Sequence, residues 1–131
     1  LALAAAALVP EHVRLCHADM PFLCDIARAL TLAPDLPYPE LVGWLRLHHD
    51  RAEQALATLA YVDCAHLAPR IRARSLVSAG LMDTICPPSG VFAAFNAIAA
   101  PKEIAVYAWS PHEVPSAHAE RQLADFAAEM G

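Results

Sequence analysis

The segment formed by residues 77–88 constrains the fold of this chain more than any other stretch. A β-type run at residues 75–78 passes through Gly80 to a single carboxylate, Asp83. Two consecutive prolines then end any strand, because proline donates no ladder hydrogen bond, and they suit the first turn of a helix. The pattern places Asp83 at the carboxyl end of a strand, where open α/β sheets collect ligands and catalytic groups.

A second stretch, residues 102–109, alternates in the manner of a strand, and His112 follows it on a loop. An acid after one strand and a histidine after the next is the order in which α/β-hydrolases present the last two members of a serine triad. In that role Asp83 accepts the Nδ1 proton of His112, fixes its tautomer and stabilises the imidazolium. Taken singly, Asp83 could equally be a turn or helix N-cap residue, and His112 a solvated loop histidine.

The remaining pattern alternates helices with strands, which predicts a single α/β domain. The predicted elements are a helix at 1–8, a strand at 13–18, a helix at 25–32, two consecutive helices from 40 and from 50, the strand leading to Asp83, a helix at 88–99, the strand at 102–109 and a helix at 116–130. Asp50 and Glu53 indicate a capping box for the second helix of the consecutive pair. With the proline-rich loop before them, these two helices predict a helical insertion at about residues 33–62.

Composition limits the function classes. The chain has 131 residues, 57% of them hydrophobic, and a mean hydropathy of +0.36, so we expect part of its surface to pack against further chain or a partner subunit. A net charge of −5 with scattered basic residues excludes a footprint for nucleic acid or an anionic membrane. The four cysteines form no CxxC pair, which favours reduced, buried thiols and a reducing compartment.

The chain contains no evident nucleophile for a triad. None of its five serines lies in a G-x-S-x-G elbow. Cys86, three residues after the acid, is an alternative thiol nucleophile in the wrong order. The adjacent pair at 16–17 and the run at 48–50 are alternative metal ligands, although adjacent side chains diverge. A set of four aromatic residues is predicted to belong to the core: Phe92, Phe95, Tyr107 and Trp109.

Several segments resemble one family over nearly the whole chain. They are Asp19-Met20-Pro21-Phe22-Leu23-Cys24, then residues 78–89 with Val91-Phe92-Ala93-Ala94-Phe95-Asn96, then Pro101-Lys102-Glu103-Ile104 and His112-Glu113. These segments are similar to the carboxyl half of the acetyl xylan esterase / cephalosporin C deacetylase family, carbohydrate esterase family 7. The resemblance implies the C-terminal portion of an α/β-hydrolase sheet, with flanking helices. It also implies removal of acetyl groups from small sugars, xylo-oligosaccharides and cephalosporin C, without a metal or other cofactor, by cytoplasmic homohexamers.

The resemblance also assigns individual residues. Asp83 matches the family's triad acid and His112 its triad base, while Phe22, Pro37 and Ile85 match positions that line the acyl pocket. Ordinary core packing is the alternative for these three. The family serine lies in G-x-S-Q-G-G, which we expect roughly five residues ahead of Leu1, so the nucleophile elbow and oxyanion hole are missing from residues 1–131 and the fragment alone is expected to be inactive.

The sequence departs from the family pattern in two places. Val114-Pro115 follow His112-Glu113 where glycines are usual, with Pro111 before the histidine, and residues 61–67 replace a stretch that normally carries Phe and Asn. Prolines narrow the backbone freedom of a loop, so the pose of His112 needs to be established directly. Two other functions stay open: a non-catalytic remnant or assembly module of the same fold, and a related hydrolase with cysteine at the elbow.

Overall fold

Three parallel strands form the centre of the computed structural model, which describes all 131 residues. Strand β1 spans Leu15–Asp19, β2 spans Arg74–Gly80 and β3 spans Lys102–Tyr107, in the spatial order β1-β2-β3. The register pairs Asp19 with Ser78 and Gly80 with Tyr107. All three carboxyl ends therefore meet at one edge of the sheet, as the α/β prediction requires.

Helices occupy the segments between the strands. They are α1 (Ala2–Leu8), α2 (Ile26–Leu32), α3 (Tyr38–Leu47), α4 (Ala52–Leu59), α5 (Cys64–Leu67), α6 (Pro88–Ala97) and α7 (Ser116–Met130), with 3₁₀ turns at His49–Arg51, Ala60–Val62 and Ala68–Arg70. Every predicted helix and strand is present, and α7 has the predicted bounds. The short helix α5 was not predicted. None of the helices is long and apolar enough to cross a membrane.

Alternate residues of β1 contact different layers. Cys16 and Ala18 belong to the apolar core together with Leu3 and Ala6 of α1. The intervening His17 instead packs its ring 4.7 Å from that of Phe126 in α7, centroid to centroid. Because successive side chains of a strand face opposite sides of the sheet, α1 and α7 cover opposite faces.

Two local predictions are wrong. Asp50 is not a helix cap, because the chain leaves α3 through a 3₁₀ turn that continues directly into α4, and no extended residue is left to cap it. Trp109 is not in the core: β3 ends at Tyr107, the chain turns there, and 87% of the Trp109 surface is exposed. The other three aromatic residues of that set are half-buried. By contrast, all four cysteines are buried and unpaired, as predicted.

The loop after β1 has an unusual backbone. Met20, Leu23 and Asp25 have φ angles of 40°, 56° and 52°, in the left-handed region that costs a non-glycine residue about 1 kcal/mol. The buried Asp63 holds this loop, since its carboxylate accepts hydrogen bonds from the backbone N–H groups of Asp25 (2.9 Å) and Ile26 (2.6 Å). The N–H of Cys64 also donates to the carbonyl of Leu23 at 2.7 Å.

We predict that Asp63→Asn lowers the free energy of unfolding by about 2–3 kcal/mol, because an amide replaces the charged acceptor of several backbone N–H groups. Urea unfolding of the purified protein, followed by circular dichroism, measures the change. Asp50→Asn is the matched control, since that carboxylate is 72% exposed and lies 4.0 Å from its only ionic partner, Arg51. Equal midpoints for the two variants would contradict the role given to Asp63.

Candidate active site

Asp83 is fixed by the turn that ends β2. The N–H of Leu81 donates to the carbonyl of Tyr107 at 3.0 Å, and the N–H of Asp83 donates back to the carbonyl of Gly80 at 3.3 Å. The Asp83 side chain is fully buried. Its Oδ1 accepts hydrogen bonds from the N–H groups of Ile85 (2.9 Å) and Cys86 (2.8 Å). Asp83 thus stabilises the turn through one of its carboxylate oxygens, Oδ1, and the other oxygen, Oδ2, remains available to another partner.

That partner is His112. Its Nδ1 lies 2.8 Å from Oδ2 of Asp83, and 43% of its side chain remains exposed. A carboxylate only accepts hydrogen bonds, so Nδ1 is the donor in this contact, and in the neutral imidazole Nε2 then keeps a lone pair. The structure therefore brings together the acid and the histidine singled out in the sequence.

The His112 loop, residues 108–115, rests directly on the end of β2. A Cβ at Gly80 would lie 2.5 Å from the carbonyl oxygen of Pro111 and 2.6 Å from that of Ser110, closer than real Cβ contacts come. The N–H of Met82 also donates to the Ser110 carbonyl at 3.2 Å. The prolines in this loop are therefore compatible with a pose in which His112 reaches Asp83, and glycine is needed at position 80 for the loop to approach.

A cavity of about 270 Å³ lies beside His112. It is lined by His112, by the start of α1, by residues 17–22 and by Cys64. Phe22, one of the three predicted pocket residues, is in this lining and packs its ring 5.7 Å from that of Tyr38. Pro37 and Ile85 do not line this cavity; Ile85 instead contributes its N–H to Asp83. Their assignment to an acyl pocket stays a prediction.

Cys86 lies beside the pair. Ligand atoms of Asp83, Cys86 and His112 all fall within 4.8 Å of one another. Burial, together with the nearby Asp83 charge, raises the pKa of the Cys86 thiol to about 12. Cysteine binds a metal as the thiolate, and the Cys86 thiol stays protonated, while the carboxylate and the imidazole are already bonded to each other; this set therefore fits a hydrogen-bonded dyad better than a metal centre. The residues at 16–17 and 48–50 are not gathered into any three-ligand group.

Sequence reasoning missed one polar group at this sheet edge. Asp19 ends β1 as Asp83 follows β2, so the rule applied to Asp83 could have found it. Its partner His118, in the first turn of α7, had no local pattern to mark it because the two residues are 99 positions apart.

Comparisons with known proteins agree with one another. The family model for acetyl xylan esterase matches residues 1–130. Acetyl esterase Axe7A of Xylanibacter ruminicola is 34% identical over 103 residues, which cover 79% of this chain and 22% of that protein. The solved acetyl xylan esterase from Paenibacillus sp. R4 superposes with a TM-score of 0.90 at 38% identity, over 97% of this chain and 41% of that one. Acetyl xylan esterase 1 from Thermoanaerobacterium sp. superposes with a TM-score of 0.84 at 39% identity, over 93% of this chain and 39% of that one.

The present chain thus spans less than half the length of these relatives. The superpositions confirm the α/β-hydrolase fold, and the resemblance on which the residue assignments rest is confirmed over nearly every residue. The chain belongs to the acetyl xylan esterase family.

Proposed function

We propose that this chain supplies the acid and the base of the triad of a serine-type carbohydrate esterase. In the full-length protein the enzyme removes acetyl groups from acetylated xylo-oligosaccharides, small sugars and cephalosporin C. The observation that carries the proposal is the 2.8 Å contact between Nδ1 of His112 and Oδ2 of Asp83, beside a cavity that His112 itself lines. The names of the relatives support the ester chemistry.

The reaction follows from this geometry. Nε2 of His112 takes the proton of a serine hydroxyl as the serine oxygen attacks the acetyl carbonyl, and the imidazolium then protonates the leaving sugar oxygen. Water attacks the acetyl-enzyme with His112 again as base, which releases acetate and restores the serine. Asp83 holds the imidazole in the correct tautomer throughout. The mechanism uses no cofactor.

The position of α1 supports a nucleophile encoded upstream. Leu1, Ala2 and Leu3 line the same cavity as His112. In a nucleophile elbow the serine sits on the turn that immediately precedes a helix, so a serine placed just before α1 would lie near this cavity. The family resemblance assigns Phe22, Pro37 and Ile85 to an apolar wall that favours an acetyl group, and Phe22 is the one of the three that lines this cavity. By the same resemblance we propose a cytoplasmic homohexamer.

The upstream coding sequence provides the first test. We expect G-x-S-Q-G-G within about ten codons of Leu1, because the elbow runs directly into its helix. A cysteine in the serine's place would indicate a thiol-using hydrolase. A glycine or alanine there would indicate a non-catalytic remnant, and the esterase proposal would fail.

We predict that Asp83→Asn in the full-length protein lowers kcat by about four orders of magnitude. The asparagine oxygen can still accept from the turn, whereas its NH₂ group faces Nδ1 and shifts the histidine proton to Nε2. Release of acetate from acetylated xylose measures the loss, and urea unfolding checks the fold. Asp50→Asn, remote and exposed, should keep parental activity. An Asp83→Asn enzyme with near-parental kcat would rule out the triad.

We predict that Cys86→Ser and Cys86→Ala keep kcat/KM within about threefold of the parent, because a thiol with a pKa near 12 stays protonated and non-nucleophilic at neutral pH. The same assay measures this ratio, and iodoacetamide labelling of the native protein should leave Cys86 unmodified until urea is added. A loss comparable to that of Asp83→Asn would instead make Cys86 the nucleophile.

A further inference from the structure

A second histidine–aspartate pair lies at the same end of the sheet as the His112 loop. Asp19 is the last residue of β1, and His118 lies in the first turn of α7 with its side chain fully buried. Nε2 of His118 is 2.8 Å from Oδ1 of Asp19, and Nδ1 of His118 is 2.8 Å from the hydroxyl of Tyr107, the last residue of β3. Both ring nitrogens of a buried histidine are therefore bonded.

The hydrogen bonds form one directed chain. The Asp19 carboxylate can only accept, so Nε2 of His118 donates to it, and in the neutral imidazole Nδ1 then accepts the Tyr107 hydroxyl proton. Asp19 also accepts from Nε2 of Gln122, which lies 3.0 Å from each carboxylate oxygen, and from the hydroxyl of Ser78 at 3.2 Å. The chain connects the carboxyl ends of β1, β2 and β3 with the start of α7.

These bonds connect the two ends of the His112 loop. The loop begins immediately after Tyr107, and its last residue precedes Ser116, the first residue of α7. The contact between Tyr107 and His118 therefore joins the two stems of the loop, while Asp19 fixes the joined stems to β1. Asp19 and His112 line the same cavity, so the fixed point lies next to the proposed base.

We propose that Asp19, His118 and Tyr107 form a positioning clamp that sets the location of His112 relative to the attacking serine. This inference rests on the proposed function for its effect on rate. The His118 side chain is fully buried, whereas 36% of the Asp19 side chain is exposed, so solvent screening limits what this ion pair adds to stability. Its directional bonds instead fix the orientation of the stems, and a base misplaced by about 1 Å can lose roughly a hundredfold in rate.

The test combines turnover with loop dynamics in the full-length protein. Tyr107→Phe removes a single hydroxyl and should fold normally, whereas His118→Phe removes both bonds. We expect kcat to fall about tenfold in Tyr107→Phe and about a hundredfold in His118→Phe, with KM unchanged within about twofold. His118→Gln keeps a donor for Asp19 and should recover part of the kcat lost in His118→Phe. Tyr61→Phe, which removes an exposed hydroxyl, is the control.

Amide hydrogen exchange provides a readout that needs no substrate. The N–H of Met82 donates to Ser110 in the loop, whereas the N–H of Leu81 donates to the end of β3. We expect exchange at Met82 to become about tenfold faster in Tyr107→Phe while Leu81 is unaffected.

The outcomes separate the two proposals. If the parent protein cleaves no acetyl ester but Met82 responds as expected, the esterase proposal fails and the clamp stands. If kcat and Met82 exchange are both unchanged in Tyr107→Phe and His118→Phe, the clamp is overturned, whatever the parent's activity. It is also overturned if only the unfolding midpoint falls and Leu81 and Met82 exchange faster together, because the residues would then be merely structural.

Discussion

The buried carboxylate of Asp83 joins two parts of the molecule that the sequence separates. Its Oδ1 accepts two backbone N–H groups of the turn after β2, and its Oδ2 meets His112 from the loop after β3. Burying a charge without such partners would cost several kcal/mol. The turn after β2 therefore stabilises the buried carboxylate with its N–H groups, and the carboxylate in turn holds the turn and the His112 loop in place. The bond can form because β2 and β3 run parallel and in register, which brings both loops to one edge.

The same physical device recurs at this edge. Asp63 holds the left-handed loop after β1 through backbone N–H groups, and Asp19 holds the start of α7 through His118 and Gln122. Each of these two carboxylates accepts hydrogen bonds from a segment that is distant from it in the sequence. Loops with little regular structure of their own thereby acquire one defined conformation, which is the requirement for a site whose groups come from several loops.

The sequence predicted those features whose causes are local. Alternation and proline placement located β2, β3 and α7, and the order of Asp83 and His112 along neighbouring strands predicted their contact. Features that depend on distant partners were missed: Asp63 contacts residues 37 and 38 positions away, and Asp19 contacts His118 across 99. Trp109 was misplaced because strand alternation does not say where the strand stops. The capping pattern at Asp50 failed because a 3₁₀ turn removed the extended residue that a cap needs.

β1 is an edge strand of the sheet, and its carboxyl end lies at the candidate active site. β1 pairs only with β2, so the backbone groups on its other side have no strand partner. The cavity beside His112 is lined by the end of β1 and by the start of α1. A further parallel strand at this edge would be continuous with α1 through a short turn at the sheet's carboxyl end. A nucleophile carried on that turn would approach Nε2 of His112 from the side opposite Asp83, because Asp83 already occupies Nδ1. In the proposed enzyme, the Nε2 side of the imidazole is therefore the side that remains for the attacking serine.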